Sequence, residues 1–405
     1  MGAGGAGPAS LATIKRGSPV EVGVAYAKNA KAFGDALGGA VDLGNGRAQN
    51  DDLITYINSH GGLAGHPIKP VYYEVDLART DPWSTFVQEA CALWTEDHHV
   101  IAASFPVNID IGQLATCLRK HGAILDASSL RLRSQSDYDA SPLLVEPWMI
   151  TAERLAPLYV KGLQQQGYFS GKPTIGLLSY DYPQAQRFAK LIGDELAKIG
   201  ETIKITFVAQ YADSTSGLGS TIAQIQSAVL KFRSAGVTHV MSSAIPGGVG
   251  VAFLPAAKSQ HYYPRYGLTS FDAISGMPAD QMVDALAVGW WLHDVDAAHE
   301  IANPTTKLCR KIFAKNGSAS TRSQELLAFA YCDFLLLLDE TSKALDPAAP
   351  ISGAALARLL DRTGPSYASS RNLATVLTSA RRDGASGLRP LRFDGPCACW
   401  VYPKT

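Results

Sequence analysis

The sequence has no long apolar run and no excess of charge of either sign. Its longest apolar runs, such as residues 334–338, are far shorter than the roughly 20 residues that a membrane-spanning helix needs. Lys and Arg number 36, as do Asp and Glu, and no basic cluster occurs. This balance argues against nucleic acid or an anionic membrane as the main partner.

Recognised catalytic and metal-binding motifs are also missing. The chain has no GxSxG elbow, no P-loop and no HExxH zinc motif. The acidic and histidine run at residues 96–99 ends a predicted helix, and we interpret it as a solvated corner rather than a metal site. The sequence therefore predicts a protein that is not an enzyme and that needs no cofactor and no metal.

The first ten residues are small and contain no apolar core, so they do not form a secretory signal. One interpretation is a cytoplasmic protein. The other is a mature chain without its signal, in which residues 1–17 are a flexible tether to a lipid anchor.

The chain has only six cysteines, and an even number permits all of them to pair in disulfides. The six residues are Cys91, Cys117, Cys309, Cys332, Cys397 and Cys399. No CxxC spacing occurs, so a zinc ribbon or a thioredoxin-type motif is not indicated. Cys397 and Cys399 are separated by one residue and would make a poor local disulfide. We expect them to pair elsewhere or to be buried thiols, with half of a metal site as the alternative.

Apolar periodicity predicts strands that alternate with helices in two blocks. The first block places strands at 20–24, 68–75, 100–104 and 123–125, and a polar, proline-containing stretch at 134–147 interrupts it. The second block places strands at 174–179, 203–210, 238–242, 266–269 and 286–291. Helices follow at 305–315, 322–345 and 353–362, and β structure returns at 388–393 and 399–402. The pattern predicts an α/β fold of two doubly wound parallel-sheet lobes.

A glycine-rich turn lies between the first long helix and the second strand. Asn58 is followed by two spacers, Gly61 and Gly62, two more spacers and Gly65, and the strand begins at Ile68. Here Asn58 can cap the helix end, and the glycines supply left-handed backbone. Together with the order of elements from about residue 18 to the end, this segment resembles the branched-chain amino acid binding proteins of ABC importers, the type I periplasmic binding proteins.

The resemblance implies a domain organisation and a function. Lobe one would comprise residues 18–147 plus 294–386, and lobe two residues 148–293 plus 387–405, with three crossovers near 147–150, 292–296 and 384–388. The expected function is that of an extracytoplasmic solute-binding protein, periplasmic or extracellular and lipid-anchored. Its partners would be a small-molecule ligand and an ABC importer permease. The alternative is a ligand sensor or receptor domain of the same fold.

Three departures from the family pattern leave amino-acid specificity open. The frequent Phe-Arg-Thr at the first crossover is replaced by residues 146–148, Glu-Pro-Trp. The family's Asp-x-x-Tyr-Gly becomes Tyr-Asp-Tyr-Pro at 180–183, and the loop at 25–46 is longer than usual.

The resemblance also implies a disulfide. Many members join the second and third helices of lobe one, where Cys91 and Cys117 are located. A closed loop of about 25 residues would stabilise the fold by roughly 3 kcal/mol. The alternative is two unpaired buried thiols.

Ligands of open parallel sheets bind at the carboxyl ends of the strands, and in a two-lobed protein both sets of strand ends face one cleft. The candidates are therefore the residues at and just past each strand end. They are Ser104, Phe105, Asn108, Ala127, Ser128 and Ser129 in lobe one, and Tyr180, Tyr182, Ala244, Phe271 and Asp272 in lobe two.

By resemblance, the hydroxyls of Ser104, Ser128 and Ser129 would hold a ligand carboxylate, although a serine after a strand can equally cap a helix. Asp272 would meet a ligand ammonium group, or would be a turn aspartate that faces water. The aromatic candidates would form apolar walls, or would belong to the core or rim. With few amide or charged groups in this set, the cleft favours a small, partly apolar anion over a sugar.

Overall fold

The computed structural model describes residues 17–30, 43–107, 109, 111–127, 131–243, 248–272, 274, 277–346 and 348–403. The expected tether at 1–17 therefore lies almost wholly outside the described residues, as do four of the predicted site residues: Asn108, Ser128, Ser129 and Ala244.

The first sheet consists of four parallel strands. They are β1 (Val20–Lys28), β2 (Ile68–Asp76), β3 (Ala102–Ser104) and β4 (Ile124–Asp126), in the order β2-β1-β3-β4. Their register pairs Val24 with both Tyr72 and Ser104, and Ser104 with Asp126. The central strand β3 and the edge strand β4 have three residues each and are buried throughout, whereas the nine-residue edge strand β2 alternates between buried and exposed residues.

The second sheet has seven strands in the order β13-β12-β9-β8-β7-β5-β6. Five are parallel: β5 (Ile175–Tyr180), β6 (Ile203–Ala209), β7 (His239–Ser242), β8 (Arg265–Thr269) and β9 (Leu286–Gly289). The late strands β12 (Arg389–Asp394) and β13 (Cys399–Val401) extend the β9 edge in antiparallel pairing. The end of the chain therefore returns to the second sheet.

Helices cover both faces of the two sheets. In the first half they are α1 (Gly46–Ser59), α2 (Trp83–Ala92, continued by a π-helical turn Leu93–Asp97), α3 (Gly112–Lys120) and α4 (Gln135–Ala140). Around the second sheet they are α5 (Ala152–Gln165), α6 (Pro183–Lys198), α7 (Leu218–Ser234) and α8 (Leu254–Ser259), the last preceded by a π-helical turn Gly248–Phe253. The later helices α9 (Pro304–Asn316), α10 (Glu325–Ser342) and α11 (Gly353–Thr363) pack back onto the first sheet and α1.

The glycine-rich turn has the backbone that its sequence requires. Gly61, Gly62 and Gly65 all have positive φ, and a Cβ on Gly62 would lie 2.2 Å from the carbonyl oxygen of His66. Asn58 does not cap α1. Its amide instead donates to the carbonyl of Ile68 and accepts from the N–H of Ile68, at 3.0 and 2.7 Å. This pair of bonds fixes the end of α1 to the start of β2.

Three chain crossings connect the two sheets and lie side by side. The first, after β4, is joined to the third by bonds from the Glu146 N–H to the Arg382 carbonyl and from the Ala385 N–H to the Met149 carbonyl. The second is joined to the third by the bond from the Leu292 N–H to the Arg371 carbonyl, 2.7 Å. Two short strands, β10 (Ala374–Thr375) and β11 (Ala385–Ser386), pair within the third crossing. The structure thus has the predicted fold class, two doubly wound α/β lobes with three crossovers.

The buried glutamate of the first crossing explains one departure in the sequence. Glu146 is fully buried, accepts a 2.5 Å hydrogen bond from the Tyr138 hydroxyl and lies 3.5 Å from the Arg133 guanidinium. Burial raises the pKa of its carboxyl, against the opposing effect of Arg133. The Glu146 side chain therefore fixes the start of the first crossing to lobe one.

All six cysteines are in disulfides. Cys91 pairs with Cys117 across α2 and α3 with a Cα–Cα distance of 6.2 Å, and Cys309 pairs with Cys332 across α9 and α10 at 6.0 Å. The expectation for Cys397 and Cys399 is wrong, because they pair with each other. The chain reverses between β12 and β13 with Ala398 in a left-handed conformation (φ 50°), and this turn brings the two Cα atoms to 5.2 Å.

Within the described ranges, no helix combines the length and the apolar character needed to cross a membrane.

Candidate functional site

The carboxyl ends of the two parallel sheets face each other, and the segments that follow them are in contact. Segments that follow strands of one sheet contact segments that follow strands of the other: Trp83 donates to the Ala212 carbonyl, Arg131 stacks on Tyr182, and Gln184 donates to Asp137. The predicted site residues that the structure describes all belong to these strand ends. They are Ser104, Phe105, Ala127, Tyr180, Tyr182, Phe271 and Asp272.

On the lobe-one side, Ser104 is the last residue of β3 and is fully buried. Among the described residues, its hydroxyl has no hydrogen-bond partner. Ser104 does not cap the next helix, since α3 begins after Ile111. Phe105 packs in the core of the first sheet, 6.2 Å from the Trp94 ring and 6.3 Å from the Tyr73 ring. Ala127 is buried in the same cluster.

On the lobe-two side, three tyrosines form one aromatic cluster. Tyr180 is the last residue of β5, Tyr182 follows that strand, and Tyr211 follows β6, with ring centroids 5.1 to 6.1 Å apart. Desolvation raises the pKa of both Tyr180 and Tyr182 well above the ordinary range, so their hydroxyls stay protonated. This cluster presents apolar ring faces and hydroxyl donors.

A cation from the other lobe lies against this cluster. The guanidinium of Arg131, four residues beyond Ala127, lies 4.2 Å from the Tyr182 ring centroid and 4.7 Å from that of Tyr211. Arg131 is only 4% exposed, so this cation–π contact is desolvated and strong. Sequence analysis missed both Arg131 and Tyr211. The available signal was their position within five residues of the strand ends at Asp126 and Ala209, because the predicted site stopped nearer to each strand.

Asp272 does not face water. It is buried, its Oδ1 accepts from the Ser242 hydroxyl at 2.6 Å, and its Oδ2 accepts from the N–H and hydroxyl of Thr269 at 2.8 and 3.2 Å. Burial raises the pKa of its carboxyl to about 6, although these hydrogen bonds lower it. The carboxylate is therefore engaged by three donors of its own lobe.

Phe271 belongs to an aromatic cluster between the cleft and the chain crossings. Its ring lies 5.1 Å from Trp290 and 6.0 Å from Trp291, and Trp291 lies 5.3 Å from Trp148 of the first crossing. The buried guanidinium of Arg371 lies 3.7 Å from the Trp148 ring centroid and 4.3 Å from that of Trp291. Desolvation lowers the pKa of Arg371 to about 9. All three crossings thus meet in one packed unit.

The strand ends contribute aromatic rings, hydroxyls and a guanidinium to one region. The described residues contain no cluster of three or more histidine, cysteine or carboxylate side chains that could hold a metal ion. Aromatic faces, buried hydroxyls and one guanidinium converge from two lobes, and such a combination binds and orients a small molecule.

Comparison with known proteins identifies the fold. No family model and no curated protein sequence matches the chain. Solved structures match along nearly its whole length. A solute-binding protein of an ABC transporter from R. palustris in complex with 4-hydroxybenzoate has a TM-score of 0.68 at 12% identity, covering 96% of this chain and 96% of its own.

Two further structures match at similar levels. An ABC transporter substrate-binding protein from Desulfitobacterium hafniense in complex with Leu has a TM-score of 0.60 at 16% identity, covering 95% of this chain and all of its own. An extracellular ligand-binding receptor from Verminephrobacter eiseniae has a TM-score of 0.65 at 13% identity, with coverage of 95% and 100%. At these identities the likeness is one of fold, and the fold is that of type I periplasmic binding proteins.

Proposed function

We propose that this chain is an extracytoplasmic solute-binding protein of an ABC importer, and that it binds a small, partly apolar carboxylate in the cleft between its lobes. The observation that carries the proposal is the position of Arg131. A buried guanidinium from lobe one lies on the tyrosines of lobe two, at the edge where both sets of strand ends meet. Guanidinium groups bind carboxylates in a bidentate geometry, and aromatic rings accept the apolar part of a ligand.

The donors around Asp272 support an acid without an ammonium group as the preferred ligand. The carboxylate oxygens of Asp272 already accept three hydrogen bonds, and its raised pKa reflects a site that disfavours charge. Recognition of an ammonium group would need this carboxylate ionised and turned toward the ligand. We therefore place aromatic acids before α-amino acids and sugars. The 4-hydroxybenzoate in the R. palustris protein agrees with this order.

The disulfides support a location outside the cytoplasm. Three disulfides in one chain form and persist in oxidising compartments. We propose that the protein is periplasmic or extracellular and held at the membrane by a lipid anchor, with the importer permease as its partner. The lobes that move would be residues 18–147 plus 294–386 and residues 148–293 plus 387–405.

The mechanism follows from a ligand that contacts both lobes. Ser104 and Arg131 belong to lobe one, and Tyr180, Tyr182 and Phe271 belong to lobe two. A ligand held by both sets has a higher affinity for the closed form than for the open form, so it shifts the population toward closure. The permease would then recognise the closed form.

A ligand screen tests the proposal. Thermal unfolding is measured with 4-hydroxybenzoate, leucine and glucose, and each hit is titrated by calorimetry. We expect 4-hydroxybenzoate to raise the Tm and Arg131→Met to weaken its binding roughly 10- to 100-fold, the value of a hydrogen bond to a charged group. Arg119→Met, which removes an exposed arginine from the end of α3, is the matched control. A Tm raised only by glucose would overturn the ligand class.

A ligand sensor is the second candidate, favoured by the receptor from Verminephrobacter eiseniae among the similar structures. Uptake separates the two. If cells that lack the protein import the radiolabelled ligand as fast as the parent cells, the protein is a sensor rather than a transport component.

A further inference from the structure

The loop between β6 and α7 makes direct contacts with the opposite lobe. We call residues 210–217 the clasp loop. The main-chain N–H of Trp83, at the start of α2 in lobe one, donates to the carbonyl of Asp213 at 2.7 Å. The indole Nε1–H of Trp83 donates to the carbonyl of Ala212 at 3.0 Å. Two donors of one residue are thus satisfied only by the other lobe, and the side chain of Trp83 is buried there.

The same loop carries a second contact. Tyr211 lies under the Arg131 guanidinium of lobe one, with 4.7 Å between Arg131 Cζ and the ring centroid. The loop is also braced within its own lobe. The Tyr211 N–H donates to Asp181 Oδ1 at 2.8 Å, and the Thr221 hydroxyl donates to the Gln210 carbonyl at 2.8 Å. Because the loop is fixed to its own lobe, its contacts with Trp83 and Arg131 couple the positions of the two lobes.

The elements that carry the Trp83 contacts follow edge strands of the two sheets. In the first sheet β2 is one edge and β4 the other, and in the second sheet β6 is the edge furthest from β9, β12 and β13. The chain crossings leave from the β4 and β9 sides, whereas α2 follows β2 and the clasp loop follows β6. The Trp83 contact of the clasp therefore lies at the β2 and β6 edges, away from the crossings. Any rotation that opens the lobes about the crossings must break it.

We propose that the contacts of Trp83 with the clasp loop are a latch that stabilises the closed form, with Trp83 as its positioning residue. Closure then comes from two sources, the ligand in the cleft and the clasp at its far end. The effect on ligand release rests on the proposed function, whereas the effect on closure of the ligand-free protein does not.

Distances in the ligand-free protein test the latch. All six cysteines are in disulfides, so Gln88→Cys on α2 and Gln226→Cys on α7 supply two thiols for spin labels at exposed positions. Trp83→Phe keeps a ring and the main-chain bond but removes the indole donor. We expect it to raise the open-to-closed ratio about fivefold, the value of one neutral hydrogen bond.

Trp94→Phe is the matched control. Its indole donates to the Val71 carbonyl at 3.0 Å, so the same atoms are lost, but the bond lies within lobe one. Trp94→Phe should lower the Tm without changing the distance distribution. Equal distributions in the parent and in folded Trp83→Phe would overturn the latch. The distance measurement needs no ligand. Failure of the ligand screen would therefore refute the proposed function, whereas the latch is tested by the distance distributions alone.

Discussion

Replacement of Asp272 by asparagine should stabilise the protein at neutral pH. Burial raises the pKa of this carboxyl from the ordinary 3.8 to about 6. Between these values the folded protein holds a proton that the unfolded chain has released, so the free energy of unfolding falls as the pH rises. At 1.36 kcal/mol per pKa unit, the cost of the buried charge above pH 6 is about 3 kcal/mol.

The local geometry accepts the amide. The asparagine carbonyl oxygen can replace Oδ2, which accepts from the N–H and hydroxyl of Thr269. The amide N–H then faces Ser242, whose hydroxyl donates to Oδ1 in the parent and can rotate to accept instead. The three hydrogen bonds of the parent thus keep their partners, and the second amide N–H is the one new donor. We therefore expect Asp272→Asn to remove the charge penalty of about 3 kcal/mol, offset in part by the desolvation of that second N–H.

Urea unfolding from pH 4 to 8 measures the effect. The parent should lose stability between pH 4 and 6 through Asp272, Asp294 and Asp333, because burial raises the pKa of all three carboxyls to about 6. Asp272→Asn should lose up to about 3 kcal/mol less over this interval. Asp361→Asn is the control, because Ser379 lowers the pKa of that exposed carboxyl. Parallel curves for the parent and Asp272→Asn would refute the reasoning.

Three further outcomes are expected. Removal of the disulfide by Cys91→Ser with Cys117→Ser should lower the free energy of unfolding in urea by about 3 kcal/mol, and no loss would mean that the bridge does not constrain the unfolded chain. Phe271→Ala should weaken 4-hydroxybenzoate binding by roughly 2–4 kcal/mol in calorimetry, and unchanged affinity would place this ring outside the site. Gly353→Ala should lower the Tm, since a Cβ would lie 2.3 Å from the Ile101 carbonyl oxygen, and an unchanged Tm would contradict that close approach.

Much of the fold was predictable because its signals are local. Alternation of apolar and polar residues predicted a strand at 68–75, and this corresponds to β2 (Ile68–Asp76). Likewise, helix caps such as Asn303 before Pro304 act within a few residues. The late return of β structure after residue 388 also indicated that the chain crosses between the lobes more than once. The short helix α4 (Gln135–Ala140) was missed, because a six-residue polar helix has no apolar period.

The site was predictable only to the level of strand ends. The sequence by itself determined that serine and aromatic residues follow the strands of two α/β lobes, because hydrophobic periodicity locates strands and parallel strands end at one edge. Only the tertiary structure decided which side chains meet: Arg131 on Tyr182 and Tyr211, Trp83 on the clasp loop, and Cys397 with Cys399. These contacts depend on how two sheets face each other and on one left-handed turn at Ala398. Contacts between segments that are far apart in the chain leave no periodic signal in the sequence.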